Sequence, residues 1–245
     1  MRKEEKISAI IQARITSTRL PGKVLMKISG KPMLWHIISR LSCSKKISQI
    51  ILAIPDTKEN NLLEEFAKKE KIRYCRGSEE DVLARYYETA KKFKASVIIR
   101  ITADCALIDP EVLDKVIEEH LKSGADYTAN ILKRTYPKGL EVEIMTFQAL
   151  KKSYQEAKAA PEREHVTLYI RQHPEKFKRV NVENSKDLSS FRWTVDEKED
   201  LEFVREIYKR LYQSSRIFLM EEIVELLEKE PQLLEINKNI KRKPI

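Results

Sequence analysis

The sequence predicts an α/β protein built on a mainly parallel sheet. Short apolar runs alternate with segments whose apolar residues recur at helical spacing, and this alternation is typical of βαβ units. The most apolar run, residues 97–101, predicts a central strand. A chain of 245 residues fits one large domain, so we predict a single domain over residues 1–245.

Each predicted element rests on the spacing of its apolar residues and on the residues at its ends. Strands are predicted over residues 7–12, 49–54, 72–75, 97–101, 125–130, 140–144, 177–182 and 191–195. Helices are predicted from Pro32, over 59–70, after Ser78 as N-cap, from Pro110, after Thr146 as N-cap, from Pro161, over 197–212 and over 218–230. Proline is favoured in the first turn of a helix, and serine or threonine at its N-cap.

The rhythm of the chain changes over residues 135–190. Three apolar residues there alternate with Glu141 and Glu143, so this predicted strand has one polar face. We therefore expect residues 135–190 to form a small subdomain that is inserted in, or appended to, the α/β layers.

Composition excludes several classes of protein. Charged residues make up 35% of the chain and apolar residues 42%, and no apolar run is long enough to span a bilayer. Cys43, Cys75 and Cys105 are far apart and give neither a disulfide framework nor zinc-ligand spacing, which fits a reducing cytoplasm. The formal charge is +9, but lysine and glutamate interleave along the predicted helices as on a solvated face. Nucleic acid is therefore not the expected partner.

The loop after the first predicted strand is cationic and rich in hydroxyl groups. Arg14, Arg19 and Lys23 fall within ten residues that also hold Ser17 and Gly22. Guanidinium and ammonium groups donate charge-assisted hydrogen bonds to phosphate oxygens, and a glycine lets a ligand approach the backbone. The sequence contains only 5 glycines, which makes one in this loop informative. The pattern indicates a phosphate-binding loop, and the alternative is an ordinary basic surface loop.

Two aspartates follow strand ends that are distant in sequence. Asp104 comes just after the strand at 97–101, and Asp196 just after the predicted strand at 191–195. Because ligands bind beyond the carboxyl ends of parallel strands, we expect the two carboxylates to be adjacent in space. Mg²⁺ is typically held by one or two carboxylates together with substrate phosphates and water. Cations for a polyphosphate and two carboxylates for a metal together describe a nucleotidyl-transfer site.

Each aspartate also has a purely structural interpretation. Asp104 would cap a turn ahead of Pro110, and Asp196 would be the N-cap of the next helix. Three weaker candidates remain: Glu141 and Glu143 face either an acceptor or water, and His165 contacts either an acceptor or solvent. No paired nucleophile and base is evident, so covalent catalysis is not indicated.

These motifs resemble the sugar-acid cytidylyltransferases, the group that contains the acylneuraminate and 3-deoxy-octulosonate enzymes. The strongest match is the stretch Ile11–Lys23 with its Gln-Ala-Arg, Ser17 and Arg-Leu-Pro-Gly-Lys residues. Four more segments resemble the SpsF-like branch of the group, and they are residues 74–86, 100–110, 164–167 and 192–201. The similarity as a whole spans about residues 7–210.

The resemblance implies a three-layer α/β/α, Rossmann-like nucleotide-diphospho-sugar transferase fold, with CTP as donor, Mg²⁺ as cofactor and a homodimeric assembly. It implies that the triphosphate and its loop involve Ala13, Arg14, Ser17, Arg19, Gly22 and Lys23. It further implies that the base and ribose lie near Arg76, Ser78, Asp81 and Arg85. Asp104 and Asp196 would hold the metal, and Lys23, Arg19 and Asp104 would be catalytic. Two departures, Ala103 and Ala106, fall beside the metal where the family usually has glycine and proline.

We therefore expect a cytidylyltransferase that transfers CMP to a sugar acid for surface polysaccharide biosynthesis, and residues 135–190 would serve dimerisation or acceptor binding. The alternatives are a cytidylyl- or uridylyltransferase with a non-sugar acceptor such as a phosphonate, a glycosyltransferase on the same fold, and a nucleic-acid-binding protein.

Overall fold

A seven-stranded sheet forms the centre of the computed structural model, which describes residues 5–240. The strands of the chain are β1 (Ile7–Gln12), β2 (Lys27–Ile28), β3 (Lys31–Pro32), β4 (Gln49–Pro55), β5 (Arg73–Gly77), β6 (Val97–Thr102), β7 (Tyr127–Ala129), β8 (Glu143–Thr146) and β9 (Arg179–Asn181). The sheet order is β5-β4-β1-β6-β8-β7-β9, and β2 pairs with β3 in a separate hairpin. Only β8 runs antiparallel to its neighbours in the sheet, so the mainly parallel sheet is confirmed.

Helices cover both faces of this sheet. They are α1 (Met33–Leu41), α2 (Asn61–Lys69), α3 (Val82–Lys92), α4 (Pro110–Ser123), α5 (Phe147–Glu156), α6 (Ala160–Glu164), α7 (Leu168–Gln172), α8 (Lys198–Leu211) and α9 (Met220–Lys229). Apolar residues of α1, α2, α4, α8 and α9 share one core with Ile11 of β1. Residues of α3, α5 and α7 share a second core with the neighbouring Ile10. Because successive strand residues point to opposite faces, a single strand supplies both cores, and the three-layer prediction is confirmed.

The register of the parallel strands sets where the chain leaves the sheet. Gln12 at the end of β1 is level with Thr102 at the end of β6, and Pro55 of β4 is level with Gly77 of β5. The loops that follow these strands therefore emerge at one edge, where ligands of such sheets bind.

Two expectations about local structure need correction. Ser78 is not the N-cap of α3: Asp81 accepts the capping hydrogen bond from the Ala84 N–H, at 2.8 Å, while Ser78 accepts one from the Asp81 N–H. Residues 191–195 are not a strand, because within the described residues they make only the isolated bridge from Arg192 to Lys138. Their alternating pattern reflects burial on both sides of an extended segment.

The segment 135–190 contributes to the central sheet. It supplies β8 and β9, with β9 at the sheet edge, and its helices α5 and α7 pack in the second core. Thr146 is the N-cap of α5 as expected, accepting from the Ala149 N–H at 3.1 Å. Within residues 5–240, no helix has the length and apolar character that a bilayer crossing requires.

Candidate active site

A cavity of about 830 Å³ opens at the carboxyl ends of β1 and β6. Sequence-predicted residues that line it are Ala13, Arg14, Arg19, Arg85, Asp104, Glu141, Glu143, His165 and Asp196. Residues that we did not predict line it too, among them Gln12, Arg100, Thr102, Arg134, Lys138 and Arg171. The cavity therefore joins the loop after β1, the loop after β6 and the segment 135–190.

The cationic loop after β1 is folded back on itself. The amide of Gly22 donates to the Ile15 carbonyl at 2.9 Å, and the Ile15 amide donates to Asn60 Oδ1 at 2.9 Å. Gly22 has a φ of 71°, a left-handed conformation that glycine adopts without steric cost. Lys23 follows at the start of a short 3₁₀ turn, which fixes the direction in which its side chain leaves the loop.

Lys23 brings the two distant aspartates together. Its Nζ lies 3.1 Å from Asp196 Oδ1 and 3.9 Å from Asp104 Oδ2, and it donates to the Val195 carbonyl at 2.6 Å. The backbones also meet, because the Val195 amide donates to the Asp104 carbonyl at 2.9 Å. The expected adjacency of the two carboxylates is thus confirmed.

Neither aspartate performs the structural role that was its alternative interpretation. The N-cap of α8 is Glu197, whose amide donates to Asp200 at 3.0 Å, so the Asp196 carboxylate is not occupied with capping. Asp104 does not cap the turn ahead of Pro110, because within residues 5–240 its carboxylate accepts no backbone N–H, and the N-cap of α4 is Asp109. Both carboxylates are consequently available to the cavity.

Asp196 lies in a dense cationic field. Arg19 approaches it at 2.9 Å, Arg192 at 3.2 Å and Lys138 at 3.9 Å, in addition to Lys23. Burial alone raises the pKa of the Asp196 carboxyl, but Lys23, Arg19 and Lys138 outweigh it and the pKa is lowered. The carboxylate therefore stays charged in the pH range of most enzymes.

A second layer of contacts fixes this carboxylate from behind. Arg192 binds Asp200 through Nε and Nη2, both at 2.8 Å, and Asp200 accepts from the Asp196 amide at 2.9 Å. Asn237, at the end of the 3₁₀ turn Pro231–Ile236, donates to Asp200 Oδ1 and to the Arg192 carbonyl at 3.0 Å each. The turn at Pro231–Ile236 thereby supports Asp196, the residue that faces the cavity.

No protein-only metal centre is present in the described part of the chain, since no three His, Cys, Asp or Glu side chains cluster suitably. Asp104 and Asp196 are two hard oxygen donors that converge on one cation, the ammonium of Lys23. This donor set fits Mg²⁺, which prefers carboxylates completed by phosphate oxygens and water. Such a metal would depend on the nucleotide for the rest of its ligands.

The residues expected near the base and ribose are divided by the structure. Arg85 lines the cavity, and its guanidinium donates to the Ser78 carbonyl. Arg76 is instead engaged by Glu64 at 2.7 Å and Asp56 at 3.2 Å, outside the lining of the cavity. Ser78 and Asp81 likewise do not line it and organise the start of α3.

The three expected acceptor residues differ in their burial and in the protein groups that already occupy them. Glu143 is only 3% exposed and accepts from Arg100 at 2.5 Å, from Tyr127 at 2.7 Å and from Thr167. The polar face of its strand is buried at this position. The alternative in which Glu143 faces water is therefore wrong. Glu141 binds Arg134 at 3.1 Å and the Gly139 amide at 2.6 Å, and His165 lines the cavity at the end of α6.

Sequence reasoning missed the ion pair that Arg100 forms with Glu143 on the cavity wall. Arg100 interrupts the most apolar strand of the chain, and Glu143 does the same in β8 directly opposite. A charged residue inside a central strand is rarely tolerated without a buried partner. That signal was sufficient to predict the pair, whereas nothing local marked Lys138 or Arg171.

Comparison with known proteins agrees with this geometry. A family model described as "Cytidylyltransferase" matches residues 8–240. The spore coat polysaccharide biosynthesis protein SpsF of Bacillus subtilis is 35% identical over 234 residues, which cover 91% of this chain and 94% of that one. A 3-deoxy-manno-octulosonate cytidylyltransferase of Geobacter metallireducens is 34% identical over 112 residues, 46% of this chain and 43% of its own length. The solved structure of a cytidylyltransferase from Leptospira borgpetersenii shares 30% identity and a TM-score of 0.90, covering 98% of this chain and 100% of that one. The chain belongs to the cytidylyltransferase family.

Proposed function

We propose that this protein transfers CMP from CTP to a sugar acid, releases pyrophosphate, and acts in surface polysaccharide biosynthesis. The observation that carries the proposal is the convergence of Asp104, Asp196 and Lys23 beside the cationic loop after β1. An oxygen of the acceptor attacks the α-phosphorus of CTP, and the α–β phosphoanhydride bond breaks.

The side chains of the loop bind and orient the triphosphate. Arg14, Ser17, Arg19 and Lys23 supply donors for its oxygens, and Lys23 and Arg19 stabilise the charge of the leaving pyrophosphate. Ala13 and Gly22 shape the backbone around it. Arg85 lines the cavity, and Ser78 and Asp81 position it through the start of α3.

Asp104 and Asp196 would hold Mg²⁺ together with phosphate oxygens and water. When bound, the ion neutralises charge at the α-phosphate. The low pKa of Asp196 supports this role, because a metal ligand must be deprotonated.

The names of the relatives support the finer parts of the proposal. SpsF is named for spore coat polysaccharide biosynthesis, and the Geobacter relative for cytidylyl transfer to 3-deoxy-manno-octulosonate. We further propose a homodimer, with residues 135–190 contributing to the acceptor site or the dimer contact. Cys43, Cys75 and Cys105 are all free thiols, which supports a cytoplasmic site of action.

Pyrophosphate release tests the proposal. The purified chain is assayed with Mg²⁺, each of CTP, UTP, ATP and GTP, and a panel of sugar acids and phosphonates. We expect CTP with a sugar acid to give the highest rate, and Asp104→Asn and Lys23→Met to lower it by at least about 100-fold without loss of fold.

Surface substitutions of the same kind serve as controls. Asp114→Asn and Lys46→Met alter an aspartate and a lysine on other parts of the surface and should leave the rate unchanged. Release of a nucleoside diphosphate in place of pyrophosphate would identify a glycosyltransferase and contradict the proposal. A phosphonate turned over in preference to every sugar acid would replace the acceptor class.

A further inference from the structure

A group of buried and half-buried charges lines the cavity on the side of α3 and α7. Its members are Arg85, Arg100, Arg171 and Glu143, together with the amide side chain of Gln12, and we call this group the arginine wall. Ile10, level with Arg100, lies in the core on the α3 side, and Gln12 points the same way, level with Thr102.

The single carboxylate of the arginine wall, that of Glu143, already accepts hydrogen bonds from three protein side chains. Glu143 accepts from Arg100, Tyr127 and Thr167, so it offers little to a ligand. Its pKa is lowered in spite of burial, because Arg100 and Arg171 lie near it. The carboxylate is therefore charged and balances one of the three guanidinium groups.

The other two positive charges have no buried carboxylate to balance them. Arg85 gives its hydrogen bonds to the carbonyls of Ser78 and Glu79, which carry no net charge. Arg171 makes no side-chain hydrogen bond or ion pair within the described residues, and its Nε is buried without a partner. Arginine keeps its charge in proteins, so the burial of Arg85 and the partial burial of Arg171 remain unfavourable until an anion approaches.

Unpartnered hydrogen-bonding atoms point to the chemistry of that anion. Nε of Arg85, Arg100 and Arg171 are all buried donors without an acceptor, and Gln12 Oε1 is a buried acceptor without a donor. A ligand with oxyanion oxygens and at least one hydroxyl group satisfies both kinds of atom.

We propose that the arginine wall binds the oxyanion of a hydroxylated acceptor, with Arg171 as the specificity-determining residue. The inference rests on the proposed function, since it takes the cavity beside CTP to be the acceptor site. The triphosphate has its own cations on the loop after β1, and cytosine is neutral and leaves the excess charge unbalanced. The oxyanion is a carboxylate or a phosphonate, and both carry the oxygens that a guanidinium recognises.

Binding measurements with a donor that cannot react test the arginine wall. The protein is loaded with Mg²⁺ and an α,β-methylene analogue of CTP, whose α–β bridge does not break. It is then titrated calorimetrically with 3-deoxy-manno-octulosonate, N-acetylneuraminate, 2-hydroxyethylphosphonate and, as a neutral control, mannose.

We expect at least one acid to bind saturably and mannose not to bind. Arg171→Gln removes a charge-assisted interaction and should weaken that acid by about 10- to 100-fold, with the affinity for the nucleotide analogue unchanged within twofold. Arg73→Gln, an exposed arginine on edge strand β5, should change neither affinity. The acid that binds most tightly identifies the oxyanion as a carboxylate or a phosphonate.

Four outcomes would overturn the inference. The first three are binding of no acid by the wild-type chain, binding of mannose as tight as that of the acids, and equal affinity of wild type and Arg171→Gln for the acid. A parallel loss of acid and nucleotide binding in Arg171→Gln would show a structural role and would also overturn it. If acids bind through Arg171 but CTP yields no pyrophosphate, the proposed function fails and the arginine wall stands.

Discussion

Replacement of Arg100 by methionine tests whether the buried pair with Glu143 is an ionic contact that the fold depends on. The substitution keeps an apolar stem of similar length but leaves Glu143 without its ion-pair partner at 2.5 Å. Removing one member of a buried ion pair typically costs about 3–5 kcal/mol. We expect the lower part of that range, about 3 kcal/mol, because Tyr127, Thr167 and nearby Arg171 still stabilise the carboxylate.

The same substitution should reverse the pH dependence that Glu143 contributes. In the wild type its folded pKa lies below the ordinary 4.5, so its contribution to stability is present above that pH and is lost as the pH falls. Without Arg100, burial dominates and the folded pKa rises above the unfolded value. The carboxyl then destabilises the fold as the pH rises, and the deficit of Arg100→Met should be smaller at pH about 5 than at pH about 7.

Urea unfolding at the two pH values measures both effects, with the fluorescence of buried Trp193 as the signal. The double variant Arg100→Met/Glu143→Gln is the control, because it removes both charges and should recover most of the lost stability. A loss below about 1 kcal/mol for Arg100→Met, or a double variant as unstable as the single one, would refute a charge-based origin.

Three further substitutions have expected outcomes in the same unfolding assay. Gly139→Ala should cost more than about 2 kcal/mol, because the new Cβ would lie 2.7 Å from the Trp193 carbonyl carbon at a φ of 109°; wild-type stability would contradict the clash. Thr146→Ala removes the N-cap of α5 and should cost about 1 kcal/mol, with Thr146→Ser as the tolerated control. Asn237→Ala removes two buried hydrogen bonds behind Asp196 and should cost about 2–3 kcal/mol and slow pyrophosphate release, and an unchanged rate would show that the carboxyl-terminal turn does not position that carboxylate.

The parts of the site that could be predicted from sequence are those that follow strand ends. The ends of β1 and β6 are visible as apolar runs that stop, and parallel pairing brings such ends to one edge. Lys23 and Asp104 could therefore be placed near each other across some 80 residues of sequence, and the structure puts their charged groups 3.9 Å apart.

Other parts depend on which neighbour a side chain meets, and no pattern in the sequence records this. Arg76 follows the predicted strand at 72–75, but in the structure it lies within β5 at the edge of the sheet, where it pairs with Glu64 of α2 and does not line the cavity. The segment 191–195 alternates like a strand, yet it is extended and buried without a sheet neighbour along its length. Apolar residues at alternate positions indicate that a segment is buried, but they do not show that its backbone pairs with another strand.

The contacts of Asn237 also bear on how the protein is made. Arg192 holds the carboxylate of Asp196 and Asp200 holds its backbone amide, and both partners are held by the side chain of Asn237, which the ribosome adds more than thirty residues later. A nascent chain can assemble the sheet and the cationic loop early in synthesis, but this corner of the cavity is complete only after the last turn has docked. Shortened products that end before Asn237 should therefore fold without acquiring a fully ordered cavity.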